Sequence, residues 1–208
     1  MPTRTISLNA IILTPTSPHF PAALQSRMLR APCPQLWALG NLDILTMPLL
    51  GFFCATRCPG DVILHTYALA LREAGVPVIG GFHTPMEKEC LEVLLRGQQP
   101  VVICPAHDIE RLRMPMSWRK PYGEGRLLVL SPFLARQRRP TTALVEHRNR
   151  FVATLATHIF VAYAGAGRLR RVGSGEKWLC ILLHGKSCPS RYDSSTVNPV
   201  REASLPSL

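Results

Sequence analysis

From Leu49 onward, short continuous apolar runs alternate with stretches that are apolar on one face only. LLGFFCA (49–55), VPVIG (76–80), PVVICP (100–105), RLLVL (126–130) and IFVAY (159–163) have the length and β-branched content of strands covered on both faces. Between them, DVILHTYALALREA (61–74) predicts a helix that stops at Gly75. Thr84, Pro85 and Glu87 predict a capping box with proline in the first turn, opening a helix that Gly97 ends. Asp108 predicts the cap of a short helix, DIERLR, ended by Pro115, and Thr141 or Thr142 the cap of a longer one, ALVEHRNRFVATLA. Strands alternating with helices imply right-handed crossovers and a mostly parallel sheet flanked by helices, an α/β fold.

The ends of the chain read differently. Residues 1–47 are proline-studded and weakly periodic, predicting an N-terminal appendage with a helix at about 21–30 and turns that lead into the sheet. The α/β domain is expected over 48–192 and a disordered tail over 193–208. Past Gly165 the pattern admits a helix followed by a strand, or a strand around LCILL.

The turn Gly80–Gly81 feeds directly into the capped helix. Glycine takes positive φ cheaply and lets another group approach the backbone. A helix N-terminus adds free N–H groups and the positive end of a dipole, an arrangement suited to phosphate. A plain strand-to-helix turn would read the same way.

Charge sharpens this picture. The formal net charge is +11, and it is unevenly spread: residues 61–110 carry three Lys/Arg against seven Asp/Glu, whereas residues 111–150 carry ten against two. Such asymmetry marks an electrostatic footprint for an anionic partner, with arginines that merely solvate a loop as the plainer alternative.

Seven cysteines at 33, 54, 58, 90, 104, 180 and 188 form no CxxC pair, which argues against a disulfide framework or a zinc ribbon. Cys54 and Cys58 lie four apart with His65 nearby, but neither a metal nor another cofactor is expected. No apolar run approaches the ~20 residues of a membrane span. The N-terminus shows no charged-then-apolar leader pattern, so a cytoplasmic protein without membrane contact is expected.

Taken in order, the motifs resemble the DprA/Smf DNA-processing family of the Rossmann-like SLOG superfamily, in a short form lacking its C-terminal winged helix. FPAAL (20–24) and QLWALGNL (35–42) resemble the family's approach to the sheet. LLGFFCATRCPG resembles its first strand and VGSR-type turn, and VIGGFHTPMEKEC its SGGARGID…H turn and helix. VVICPAHDIE and GRLLVLSPF resemble the next two strands, and HRNRFVATLATHIFVAY the RNRIIAGLSDxVVVVEA element. The chain departs from the pattern where His83 and Met86 stand near the family's arginine and aspartate, Cys90 near its histidine and Pro132 at the acid of LLSE.

The resemblance implies single-stranded DNA as the partner, in natural transformation. A RecA-type recombinase and a homodimeric second copy would be further partners. It implies phosphate contacts at Arg57, Gly80, Gly81, His83, Thr84, Arg148, Asn149 and Arg150, with Arg138 and Arg139 as steering charge. Arginine grips phosphate bidentately, and histidine at position 83 would grip it more weakly. Phe82 and Phe133 are the candidate stacking platforms. No catalytic residue is assigned: AGAGRLRRVGSGEKW lacks the PGGxGTxxE motif of related nucleotide-cleaving enzymes. A small-nucleotide sensor or hydrolase, and a degenerate paralogue, are the alternative readings.

Overall fold

A computed structural model describes residues 10–27, 35–54, 61–110, 112–133, 139–163 and 178–179. The five expected strands are present: β3 Leu50–Cys54, β4 Val78–Gly80, β5 Val101–Ile103, β6 Leu127–Ser131 and β7 His158–Tyr163. They pair in parallel in the order β6-β5-β4-β3-β7. Chain order runs outward from β3 through β6 and then returns to the other side of β3. In open α/β sheets ligands bind at the carboxyl ends of the strands beside such a reversal, here the ends of β3 and its neighbours.

Helices cover both faces. α2 Asp61–Glu73 and α3 Pro85–Leu95 pack together on one side. α1 Ala22–Arg27 and α5 Thr142–Leu155 pack together on the other. Alternation along the strands sorts the core accordingly. Val78, Val101, Ile103 and Leu127 join the α3 side, while Ile79, Val102, Leu128 and Leu130 join Phe151 and Val152 of α5. Burying each such side chain contributes about 1.5–3 kcal/mol, so the two-sided core holds the turns above it rigidly.

Two expectations are corrected. The N-terminal region supplies strands as well as a helix: β1 Ile11–Leu13 and β2 Leu36–Gly40 extend the same sheet, antiparallel to each other and to β6. Leu36 and Ala38 are fully buried, so LWAL is a covered strand whose flanking prolines masked its signal. Gly40 ends it at φ +120°, pressed against the Leu127 carbonyl where no side chain fits. The short helix expected at DIERLR does not form. Its described residues are irregular, with Ile109 buried against Leu39 and Val129. The helix begins after Pro115 instead, as α4 Met116–Gly123. Beyond β7 the two-residue strand β8, Trp178–Leu179, pairs with it in parallel. Leu179 is the first residue of the LCILL run, and the predicted C-terminal tail lies outside the described residues.

Among the described residues no helix is long and apolar enough to cross a membrane.

Candidate nucleic-acid interface

The glycines after β4 were expected to supply positive φ and room for another group to approach, and only the second holds. Gly80 and Gly81 stay out of that region, while Phe82 adopts φ +45°. A bulky side chain there is a genuine outlier, costing on the order of 1–3 kcal/mol. The cost is met by burial: Phe82 is 5% exposed and stacks on Phe52 with centroids 6.1 Å apart. The glycines are required for close approach. A Cβ on Gly80 would come within 3.0 Å of the Phe82 ring, and one on Gly81 would overlap the guanidinium of Arg148.

The helix that follows starts as its sequence specifies. Thr84 is the N-cap of α3, its side chain accepting from the Glu87 N–H, with Pro85 in the first turn and Glu87 closing the capping box. The Glu87 carboxylate does more than cap. Its Oε2 accepts from the His83 and Thr84 N–H groups at 2.8 and 3.1 Å, and its Oε1 accepts from the Cys54 N–H at the end of β3, at 3.1 Å. One buried carboxylate therefore ties strand, turn and helix together.

Arg148 closes the cluster from the opposite face. It is 3% exposed, lies on Gly81, donates from Nη1 to the Cys104 carbonyl at 3.2 Å and from Nε to Asn149 Oδ1 at 2.8 Å. Burial pulls its pKa below the usual arginine value, with the charges of Glu87 and Cys104 opposing. Guanidinium stays protonated even so. Cys104 is fully buried and its thiol is pushed up to about 12 by that burial, with Arg148 opposing. A thiol so far from ionisation is no nucleophile at neutral pH.

The remaining candidates separate by exposure. His83, Arg139 and Arg150 are exposed, Asn149 is half-buried, and Thr84 is buried at the cap. Arg57 and Arg138 lie outside the described residues. Arg150 sits close enough to His147 for its charge to add to burial in lowering that histidine's pKa. Both aromatic candidates are core residues: Phe82 packs as above, and Phe133 is 3% exposed with its ring against His147. Neither offers a face on which a base could stack. Nearby, Ser131 Oγ donates to the His107 carbonyl and accepts from the Phe133 N–H, joining the loops that leave β5 and β6. Among the described residues no group of three or more His, Cys, Asp or Glu side chains could hold a metal.

The reach of Glu87 to Cys54 went unpredicted, because it joins a helix to the end of a strand 33 residues earlier in the chain. The burial of Arg148 had a readable signal. Arg148, Phe151, Val152 and Leu155 follow the i, i+3, i+4, i+7 spacing of one helix face, which sets Arg148 on the side that carries the core.

Two solved structures share this architecture. DNA processing protein A from Helicobacter pylori, studied for its single-stranded DNA binding mode, aligns with TM-score 0.56 and 16% identity, over 74% of this chain and 69% of that one. DprA from Streptococcus pneumoniae aligns with TM-score 0.59 and 18% identity, over 76% of this chain and 56% of that one. At such identities the likeness establishes the fold, and the chain spans little more than half the length of the streptococcal protein. Comparison with curated proteins returns no match. The sequence itself carries the assignment further: the family model of DNA recombination-mediator protein A matches residues 11–170, so this chain belongs to that DNA-processing family.

Proposed function

We propose that this protein binds single-stranded DNA as a DNA-processing accessory rather than as an enzyme, and assists a RecA-type recombinase during natural transformation. The observation that supports the reading is the exposure of His83 beside the glycine turn, and of Arg139 and Arg150 before and on the helix that Arg148 ties to that turn. Arg148 anchors α5 to that turn, which fixes the helix that carries Arg150 near the carboxyl ends of β4 and β5. Arg57 as a phosphate contact and Arg138 as steering charge belong to the same proposal, and a homodimer would extend the surface.

Phosphate capture by solvent-facing arginines releases counterions, so affinity must fall as salt rises. The test is fluorescence anisotropy of a labelled ~20-nucleotide single strand, followed across a salt series. Binding at micromolar concentration or tighter that weakens steeply with salt supports the proposal. Absence of binding at low salt, or binding indifferent to salt, rejects it.

A further inference from the structure

The start of α3 is built like an anion seat, yet it is already filled from within. Three N–H groups from different parts of the chain, Cys54, His83 and Thr84, converge on the two oxygens of Glu87. A capping box requires only the Thr84 contact; the other two come from the neighbouring strand and from the turn. Glu87 is 6% exposed, and the buried guanidinium of Arg148 lies close enough to feel its charge. Converging backbone donors at a helix N-terminus beside a fixed cation are what a phosphate group demands. Here a carboxylate of this same chain occupies that position and supplies that charge.

We propose that Glu87 is a specificity-determining residue: an internal anion that shuts phosphate groups out of the glycine turn. A bound polyanion is then held by the outward cations Arg139, Arg150 and His83 instead of by backbone N–H groups. A mononucleotide is excluded from the turn for the same reason, because its phosphate finds the His83 and Thr84 donors taken. Only the statement about the polyanion rests on the DNA-binding reading; closure of the seat stands without it.

The test uses inorganic phosphate as the probe, with chloride of matched ionic strength as the reference, on the full chain and its Glu87→Ala and Glu87→Gln variants. Glu87→Ala removes the acceptor shared by three N–H groups, that of Thr84 buried, and the charge near Arg148, and the melting temperature should fall by about 5–10 °C. Phosphate entering the emptied seat should restore about half of that loss at tens of millimolar, beyond any general effect on the wild type. Glu87→Gln also lowers the melting temperature, but its amide still fills the space, so phosphate should not rescue it. Should Glu87→Ala fold only in phosphate, followed by circular dichroism, the conclusion is the same. A wild type stabilised by phosphate as strongly as Glu87→Ala would overturn the proposal. So would a destabilised Glu87→Ala that ignores phosphate, which would reduce Glu87 to a helix cap. Single-strand binding by the wild type is measured separately: if it fails while phosphate rescue holds, the DNA reading falls and the internal anion remains.

Discussion

Arg148 and Arg150 stand two residues apart on one helix and do opposite things. Two residues advance an α-helix by about 200°, so one side chain turns towards the sheet and the other away from it. Arg148 is buried, fixed by Cys104, Asn149 and Gly81, and lies within reach of the charge of Glu87. Arg150 faces water. A cluster of arginines in a sequence thus need not act as one patch: the inner member sets the geometry, and the outer one is free to meet an anion.

Removing the inner member should have the largest effect. Arg148→Ala leaves a buried carboxylate without its cation and the Cys104 carbonyl without a donor, a loss of about 3 kcal/mol measured by urea unfolding. Arg148→Lys should recover little of it, because a lysine cannot present Nε and Nη1 donors together. If Arg148→Ala unfolds like the wild type, the contrast between the two arginines collapses.

Gly81→Ala attacks the same contact from the other side. Its Cβ would overlap the Arg148 guanidinium, at a cost of about 2 kcal/mol. The double variant with Arg148→Ala should be less damaged than the sum of the two, since the clash disappears with the arginine. Strict additivity in that cycle would show that the two residues do not press on each other.

The outer cations should behave in reverse. Arg139→Ala and Arg150→Ala should each leave stability within about 0.5 kcal/mol of wild type. Each should weaken single-strand binding at every sequence alike, and each should reduce the slope of log affinity against log salt by about 1. A comparable loss of stability in Arg150→Ala would place it in the structural network instead.

The smallest effect concerns pH. Burial, aided by Arg150, lowers the pKa of His147. The folded state therefore binds its proton less readily than the unfolded chain, and stability rises with pH in that window. His147 contributes fully above the ordinary histidine pKa of about 6.5, and that contribution is lost as pH falls through the lower folded value. His147→Gln should flatten this dependence slightly in urea midpoints taken between about pH 5 and 7. Arg150→Ala should flatten part of it.

The parallel sheet was legible because its strands are buried on both faces and leave continuous apolar runs, as in PVVICP and RLLVL. The cap at Thr84 was legible because Thr, Pro and Glu stand at fixed offsets within four residues. Strand β2 was obscured because prolines flank a short run whose partner, β6, lies about ninety residues later. At the candidate site the structure gives several side chains a part other than the one their sequence suggested. The glycines of the turn serve contact rather than positive φ, and Phe82 takes the left-handed conformation only because Phe52 waits beneath it. Glu87 caps as spacing implies, yet its remaining bonds depend on where β3 ends, which pairing between distant segments decides.

The most direct test of the division between inner and outer arginines is the salt dependence of single-strand binding by Arg139→Ala/Arg150→Ala beside wild type, with urea midpoints on the same preparations. The account predicts unchanged midpoints, weaker binding and a salt slope shallower by about 2. An unchanged slope, with binding intact, would contradict it and return the search for the DNA contacts to another face of the sheet.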